Sequence, residues 1–317
     1  MTKQFSPLVS VFIVAGNEEA NIRRCLESVV GWSDDVYVVD SDSSDRTVEI
    51  AREYTSQVVN HPYVDHASQL AWAFESLPFR NEWLLFLDAD NIVTPELRAA
   101  ITRELSADDR SVNGYYCIHE EFFRDRPVRG MKKWWARLVR RRSAAIDQSE
   151  LVDYGIKIDG KVGYIHAAII EDNLKERDID FWIDKHQRFA RRMAAEEVLR
   201  KKGLIKWAVE PKLFGTSDQN RVWLKNAWMH MPLFVRPVLY WAYRYFIKGA
   251  ILDGRHGLAF TVNQALWFRI ICDMKIQEIE WALARGELTT DDLWAQFGSR
   301  SLQGDVVGRR DAAAGKT

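Results

Sequence analysis

The sequence has few cysteines, no excess of charge of either sign and no apolar run of membrane-spanning length. Its three cysteines, Cys25, Cys117 and Cys272, lie far apart and form no CxxC pair. This spacing argues against a disulfide framework or a zinc site and favours a reducing cytoplasm. The formal net charge is -1, so overall charge predicts no nucleic-acid partner. Residues 1–7 lack the pattern of a signal peptide.

Long uncharged stretches are also missing from the sequence. The longest in the aromatic C-terminal part, residues 257–268, is shorter than the roughly 18–20 residues that a transmembrane helix needs. We therefore expect a chain that does not cross a bilayer, although it can still lie on a membrane surface. The content of 47% hydrophobic and 28% charged residues is typical of a globular protein. A length of 317 residues supports one large domain, or one domain with a smaller appendage.

Strand and helix signals alternate in the first half of the chain. Buried strands are predicted at three continuous apolar runs, residues 8–14, 36–39 and 83–87. Helices are predicted at residues 20–30, 45–54 and 95–105, the last with Thr94 as N-cap and Pro95 at its first position. This alternation predicts an α/β fold with a mostly parallel sheet.

The rest of the chain has a different character. Short strands are predicted at residues 155–158 and 161–165, around the turn at Asp159 and Gly160, and a basic helix at 181–203. The last third is rich in tryptophan, and arginine or lysine interrupts its apolar runs. We expect a catalytic domain at residues 1–205, an amphipathic helical extension at 206–303, and a disordered tail at 304–317.

Polar clusters follow each of the three predicted buried strands, at residues 16–19, 40–45 and 88–91. Ligands of parallel α/β sheets bind beyond the carboxyl ends of the strands. The sequence therefore predicts that these three loops meet at one edge of the sheet and form a binding site there.

Asp88 and Asp90 form the most informative cluster, because two carboxylates two residues apart can reach the same side of an extended segment. Carboxylate oxygens suit Mg²⁺ or Mn²⁺, which are typically held by one or two carboxylates together with substrate phosphates. A cation there would neutralise a diphosphate leaving group. The alternative is a solvated loop whose aspartates cap a helix.

The other two loops have both functional and structural interpretations. Asp40 and Ser41, at the end of the second strand, are placed to hydrogen-bond a nucleotide, whereas Asp45 is better explained as a helix N-cap. Glu18 and Glu19 taken alone suit the N-terminus of the following helix. The first loop matches neither a GxGxxG nor a Walker pattern.

Taken together, the three loops resemble a known family. The segments VSVFIVAGNEE, VVDSDSSDRT and WLLFLDAD at residues 9–19, 38–47 and 83–90 look like a family 2 glycosyltransferase. FWIDKH at 181–186 and GAILDGRHG at 249–257 extend the likeness to the bacterial subgroup that builds lipopolysaccharide cores, capsules and exopolysaccharides. The resemblance covers about residues 8–285. It implies a GT-A fold, a Rossmann-like mostly parallel sheet with helices on both faces, here followed by a C-terminal helical extension.

The resemblance also implies the roles of individual residues. It implies an inverting transfer from a nucleotide-diphosphate sugar, assisted by a divalent cation. Asp88 and Asp90 would hold the metal and the diphosphate. The nucleotide or donor would be contacted by Ala15, Asn17, Glu18, Asp40, Ser41, Gln69 and Arg137. His166 and His186 are more simply explained as packed or surface residues, with His166 the better candidate for the metal.

The catalytic base is the point at which the sequence departs from the family. The family usually has a glutamate ahead of a strand pair, but residues 151–155 offer Asp153 instead. Asp153 is therefore one candidate, although it also suits a turn. Many family members use the aspartate of a Glu-Asp pair, so Asp172 and Glu171 are rival candidates. Leu70 and Ala71 also replace the Arg and Asn that usually follow the glutamine at 69.

Partners follow from the resemblance and from local charge. The subgroup's acceptors are generally lipid-linked glycans, which implies a peripheral position on the cytoplasmic face of the inner membrane. Residues 124–142 contain nine basic residues and one acidic one. This segment is expected either to bind an anionic acceptor or to form a solvated helix face. The Trp- and Arg-rich residues 207–281 suit a membrane interface, or else a helical core or oligomer contact. A soluble acceptor and a noncatalytic nucleotide-sugar-binding homologue are the alternative functions, and the oligomeric state stays open.

Overall fold

The computed structural model describes residues 9–148, 155–207, 209–215 and 217–297. The chain divides into two compact units. Unit 1 consists of the described residues up to Val64, together with Gln69–Ile146 and Ile156–Ile179. Unit 2 consists of Asp65–Ser68, the described ends of Asp147–Gly155, and the described chain from Asp180 onward. The predicted disordered tail at 304–317 lies outside the described residues.

Unit 1 is built on one large mixed sheet. Its strands are β1 (Val9–Ala15), β2 (Val36–Asp40), β3 (Val58–Asn60), β4 (Trp83–Asp88), β5 (Asn91–Val93), β6 (Val112–Phe123), β7 (Arg126–Pro127), β8 (Lys133–Arg140) and β11 (Lys161–Glu171). The order is β3-β2-β1-β4-β8-β6-β11-β5, with β7 paired to β6. The strands run parallel from β3 to β4 and between β6 and β11, whereas β8 and β5 are antiparallel to their neighbours.

Helices cover this sheet on both faces, as predicted for the α/β fold. They are α1 (Ile22–Glu27), α2 (Thr47–Tyr54), α3 (His66–Ser76, of which Gln69 onward belongs to unit 1) and α4 (Pro95–Ser106). Residues of α1, α2 and α4 join Ile13 and Leu87 in the main hydrophobic core. Phe12 and Phe86 point to the opposite face, since side chains alternate along a strand, and their rings stack at 5.8 Å.

The strand registers bring the predicted loops to one edge. Ala15 is paired with Asp40, and Val14 with Asp88, so that β1, β2 and β4 end side by side. The helix after β4 begins as predicted: Thr94 Oγ1 accepts a hydrogen bond from the Leu97 backbone at 3.2 Å, and Pro95 follows the cap. The carboxyl edge of the parallel strands is therefore lined by the three polar loops that the sequence indicated.

One local prediction needs correction. The alternative that placed residues 124–142 on a solvated helix face is wrong, because β7 and β8 form much of this segment and Arg137 is buried. The pairing of β8 with β4 and β6 joins parts of the chain that are distant in sequence, so the local charge pattern did not indicate it. The short strands predicted at 155–158 and 161–165 are confirmed as β10 (Gly155–Ile158), which pairs with β9 (Ala144–Asp147), and as the first part of β11.

Unit 2 is helical in its described residues. It contains α5 (Ile179–Lys201, from Asp180 onward), α6 (Ser217–His230), α7 (Val235–Ala242), α8 (Gly254–Thr261), α9 (Phe268–Ala284) and α10 (Thr290–Phe297). Helix α5 packs with α9 and α10 through Val198, Ile276 and Leu293. The domain boundary at 205–206 stays a prediction, although α5 clusters with the later helices. Among the described helices, none combines the length and the apolar character that crossing a bilayer requires.

A buried ionic cluster stabilises unit 2. Arg236 is 1% exposed and lies 2.9 Å from Glu197 Oε1, and its Nε donates to Asp273 Oδ1 at 2.8 Å. The other oxygen of Asp273 accepts from the Phe234 backbone at 2.7 Å. Burying two carboxylates is costly unless a cation and hydrogen bonds compensate them. The guanidinium of Arg236 is thus central to the packing of α5, α7 and α9.

We expect Arg236→Ala to destabilise the protein by about 3–5 kcal/mol, because it removes the cation that pairs with the buried Asp273 carboxylate and leaves Glu197 to pair with Lys201. Urea unfolding followed by circular dichroism measures the effect. Arg285→Ala is the matched control in the same unit, since its pair with Glu287 is 57% and 58% exposed, and such exposed pairs contribute little to stability. Equal losses in the two variants would contradict the role given to Arg236.

Candidate active site

The first and second loops are joined by hydrogen bonds at the carboxyl edge of β1 and β2. The Asn17 backbone donates to Ser43 Oγ at 2.8 Å, and Asn17 Oδ1 accepts from the Ser44 backbone at 2.8 Å. The Ser41 backbone donates to the carbonyl of Ala15 at 2.9 Å. Asn17 has a positive φ of 56°, which asparagine tolerates better than most residues. The structure therefore brings Ala15, Asn17 and Ser41 together, as predicted.

Asp40 is a buried carboxylate with an unsatisfied oxygen. Its Oδ2 accepts from the Ser43 backbone at 3.0 Å, while Oδ1 is buried without a hydrogen-bond partner in the described structure. Buried acceptors are usually satisfied, and an exception often marks a group that meets a ligand. The position of Asp40 at the end of β2 places this acceptor in the predicted nucleotide site.

Gln69 extends the second loop. It is 1% exposed, and its Nε2 donates to Ser41 Oγ at 3.0 Å. Its Oε1 lies 2.6 Å from His61 Nδ1, and the His61 ring stacks on Trp72 at 4.1 Å. The sequence indicated Gln69 but gave no sign of His61 or Trp72, whose aromatic surfaces lie beside the predicted donor site.

Asp88 is paired with a buried arginine. Its Oδ2 lies 2.8 Å from the Arg137 guanidinium, which is fully buried on β8. The Arg137 guanidinium also lies over the Trp135 ring, 4.4 Å from its centroid. Arg137 thus lies beside the Asp88-Ala89-Asp90 motif, and its charge faces a carboxylate, while its predicted contact with the donor stays a prediction.

Asp90 is held by amides from two parts of the chain. Its Oδ1 accepts from Asn91 at 3.0 Å and its Oδ2 from Asn173 at 3.0 Å. The Asp90 carbonyl accepts from the Asp172 backbone at 3.1 Å. These two amides orient the Asp90 carboxylate next to the predicted Glu171-Asp172 pair.

The segment after β11 connects the first loop to the Asp90 loop, and sequence reasoning missed it. Asn21 donates to Asn173 Oδ1 at 3.0 Å and to Glu18 Oε2 at 2.7 Å. Lys175 Nζ lies 2.6 Å from Glu18 Oε1 and donates to the Asn17 carbonyl at 2.9 Å. Asn173 and Lys175 lie within three residues after the Glu171-Asp172 pair. Their closeness to that pair is the signal in the sequence that could have indicated them.

The candidate bases differ in their surroundings. Asp172 Oδ2 lies 2.7 Å from the Arg24 guanidinium, which also donates to the Asp172 carbonyl, and the Asp172 side chain is only 9% exposed. The Glu171 side chain is 32% exposed, and its Oε2 lies 3.1 Å from His119 Nε2. Asp153 lies outside the described residues. Asp172 is engaged by a guanidinium and almost buried, whereas Glu171 is more exposed, which favours Glu171 as the carboxylate that an acceptor can reach.

His119 is a buried neutral imidazole behind Glu171. Burial lowers its pKa well below the usual range, and the nearby charges of Lys133 and Arg137 lower it further. The ring is therefore uncharged at neutral pH and carries one N–H. Its Nε2 lies 3.1 Å from Glu171 Oε2, although neither ring nitrogen has a hydrogen-bond partner of suitable geometry in the described structure.

The two other histidines singled out in the sequence have packing partners. His166 is exposed and lies edge-to-face with Trp134, with ring centroids 5.0 Å apart. In unit 2, His186 stacks on Trp182 at 3.7 Å, and its Nδ1 lies 2.9 Å from the Trp182 carbonyl. These contacts explain both residues by packing.

The donor set fits a divalent cation that is completed by substrate. Within the described ranges, no group of three or more His, Cys, Asp or Glu side chains forms a metal cluster. Mg²⁺ and similar cations typically take one or two protein carboxylates and complete their shell with water and substrate phosphate. Asp90, oriented by two amides, and Asp88 at the strand end supply carboxylates of this kind.

Comparison with known proteins is consistent with this site. Residues 10–167 match the model of the family described as Glycosyl transferase family 2. The chain belongs to this family. An uncharacterized glycosyltransferase of Rickettsia bellii is 38% identical over 101 residues, 32% of this chain and 34% of the relative. The lipopolysaccharide core biosynthesis glycosyltransferase LpsC of Rhizobium meliloti is 28% identical over 163 residues, 49% of this chain and 59% of LpsC. The chain thus spans about a third of the length of the Rickettsia relative.

Solved structures match the chain only at low similarity. A glucosyl-3-phosphoglycerate synthase of Mycobacterium tuberculosis in complex with phosphoglyceric acid has 17% identity and a TM-score of 0.43, over 67% of this chain and 85% of that one. The family 2 match ends at residue 167. Asp40, Asp88, Asp90 and Arg137 lie within the matched part, whereas the Glu171-Asp172 pair and nearly all of unit 2 lie beyond it.

Proposed function

We propose that this family 2 chain is an inverting glycosyltransferase that moves a sugar from a nucleotide-diphosphate sugar to an acceptor hydroxyl. The observation that carries the proposal is the convergence of three strand-end loops in unit 1. They place the unsatisfied Asp40 carboxylate and the amide-held Asp90 carboxylate at one edge of the sheet. Such an edge is where α/β sheets bind nucleotides.

The donor's nucleotide would lie against the second loop. Asp40 Oδ1 is a buried acceptor without a hydrogen-bond donor in the described structure. An N–H group of a base or a hydroxyl group of a ribose would supply that donor. Ser41, held by Gln69, adds a hydroxyl beside it. Binding there would satisfy the buried acceptor, which otherwise costs about 1–3 kcal/mol.

The diphosphate would lie against the Asp88-Ala89-Asp90 loop. We propose that Asp90, with Asp88, holds a Mg²⁺ or Mn²⁺ ion, which supplies charge neutralisation to the leaving diphosphate. Asn91 and Asn173 hold the Asp90 carboxylate in position. The fully buried guanidinium of Arg137 pairs with Asp88 and so helps to fix the position of that carboxylate.

Glu171 is the proposed base. It takes the proton of the acceptor hydroxyl as that oxygen attacks the anomeric carbon, while the bond to the diphosphate breaks on the opposite side and the configuration inverts. A carboxylate serves because the hydroxyl proton becomes acidic late in the attack. His119 is a positioning residue in this proposal, since its neutral ring lies behind Glu171.

The acceptor is proposed to be a lipid-linked glycan used in bacterial lipopolysaccharide or other surface-polysaccharide synthesis. The name of LpsC, which shares 28% identity over part of the chain, supports this class. Such an acceptor would place the chain peripherally on the cytoplasmic face of the inner membrane. A soluble acceptor is the alternative, and a noncatalytic nucleotide-sugar binder is the alternative of a different class.

Donor binding can be tested by thermal shift with a panel of nucleoside diphosphates and the corresponding nucleotide-diphosphate sugars. We expect one of them to raise the melting temperature by about 5–10 °C at 100 times its Kd with Mn²⁺ present, and to have little effect with EDTA. Asp40→Asn should lose the shift, whereas Asp34→Asn, an exposed residue before β2, should keep it. A shift without release of sugar from the donor would identify the noncatalytic binder, and no shift with any nucleotide would reject the donor site.

A further inference from the structure

Unit 2 exposes an unusual apolar stripe on α7 and the segments that follow it. Val235, Leu239, Tyr243 and Phe246 recur at helical spacing along α7 and the π-helical turn Tyr243–Ile247, and all four are exposed. The buried side of α7 instead carries Arg236 and Pro237. The usual orientation of an amphipathic helix is therefore reversed, with its apolar face turned to solvent.

The stripe continues into the next segment. Ile247 and Leu252 are 76% and 71% exposed, which is far more than large aliphatic side chains usually show, and Ile251 beside them is exposed as well. The 3-10 turn Ala250–Asp253 contacts both the π-helical turn and α8. We call this surface the apolar patch: Val235, Leu239, Phe246, Ile247, Ile251 and Leu252. Patches of this kind mark surfaces that bind a partner or a membrane.

The charges around the apolar patch are basic. Lys248 and Arg255 are exposed within it, and Asp253, the only acidic residue between positions 234 and 258, is half-buried. Apolar and aromatic side chains flanked by exposed lysine and arginine are the composition of segments that lie in the interface of an anionic bilayer. Each cation near such a surface strengthens the attraction to anionic lipid.

We propose that the apolar patch docks the chain on an anionic lipid bilayer, with Ile247 and Leu252 inserted among the lipids and Lys248 and Arg255 against the headgroups. A second copy of the chain is a poorer occupant, because a two-fold contact would bring the same basic groups face to face. The proposal rests on the proposed function in one respect: a lipid-linked acceptor would explain why the chain binds a bilayer. Lipid binding itself involves neither the donor nor the acceptor, so it can be measured separately.

Vesicle co-sedimentation of the full chain tests the proposal. We expect binding to phosphatidylcholine vesicles containing a quarter phosphatidylglycerol to be at least about 10-fold tighter than binding to phosphatidylcholine alone. The double variant Ile247→Asp/Leu252→Asp should weaken binding by about 10-fold or more, and Lys248→Glu/Arg255→Glu should abolish the preference for anionic lipid. Leu224→Asp/Met274→Asp, which alters two exposed apolar residues elsewhere in unit 2, is the matched control.

Several outcomes overturn the proposal. They are no binding by the parent chain, unchanged binding by Ile247→Asp/Leu252→Asp, and equal loss in the control variant. Light scattering measures the oligomeric state of each variant. If the parent chain were a dimer and only Ile247→Asp/Leu252→Asp dissociated it, the apolar patch would be assigned to contact with a second copy. Circular dichroism confirms that the variants are folded. Donor hydrolysis, measured without vesicles, should be equal in all variants, so that failure of lipid binding and failure of the proposed enzyme activity are distinguished.

Discussion

Asp90→Asn is expected to lower the kcat/KM for glycosyl transfer by about 100-fold or more and to raise the Mn²⁺ concentration needed for half-maximal activity. The asparagine keeps an oxygen that can accept from Asn91 or Asn173, but it loses the negative charge that the cation requires. Loss of the cation removes several kcal/mol of charge stabilisation from the leaving diphosphate. Initial rates measured over a Mn²⁺ titration give both quantities.

Asp90 provides a cleaner test than Asp88. Asp88→Asn removes the carboxylate that lies 2.8 Å from the fully buried Arg137 guanidinium, so a loss of activity could arise from a loss of stability. Asp34→Asn is the control for Asp90→Asn, because Asp34 is an exposed residue at the opposite end of β2. Transfer by Asp90→Asn at the parent rate across the Mn²⁺ titration would exclude the proposed metal site.

Glu171→Gln is expected to lower kcat for transfer by about 100- to 10,000-fold, with donor binding retained. The amide can keep a contact with His119 but cannot take a proton from the acceptor hydroxyl, and a positioned base contributes this range of rate. Single-turnover transfer, together with thermal shift by the donor, separates the chemical step from binding.

Two variants complete this experiment. Glu120→Gln makes the same change on the neighbouring strand β6, where Glu120 pairs with Lys132 at 2.7 Å, and it should leave transfer close to the parent rate. Asp172→Asn should mainly lower stability, since it removes the charge opposite Arg24. If Glu171→Gln transferred normally while Asp172→Asn or Asp153→Asn did not, the base would be one of those aspartates.

Part of the candidate site could be predicted because local signals determine it. A continuous apolar run followed by polar residues identifies a buried parallel strand and its carboxyl end, and parallel neighbours put those ends side by side. Asp40 and Asp88 are such cases, since both end strands that pair with β1. Thr94 and Pro95 likewise defined the start of α4 through capping, which depends on a few adjacent residues.

The rest of the site depends on contacts between distant parts of the chain. Arg137 reaches Asp88 because β8 runs antiparallel between β4 and β6, and no local pattern predicted that pairing. His119 faces Glu171 because β6 and β11 pair with a register shift between Ile165 and Ala168. The choice between Glu171 and Asp172 likewise required the position of Arg24, which follows from the packing of α1.

The sequence by itself determined the family, the α/β class and the three strand-end loops, because hydrophobic periodicity and short polar motifs are local properties of the chain. Only the tertiary structure decided which side chains neutralise, orient or bury the acidic groups in those loops. It also decided that the apolar side of α7 faces solvent, since a helix has the same periodicity whichever face is buried. Burial and electrostatic partnership are properties of the packed chain, and they set the chemistry of each carboxylate.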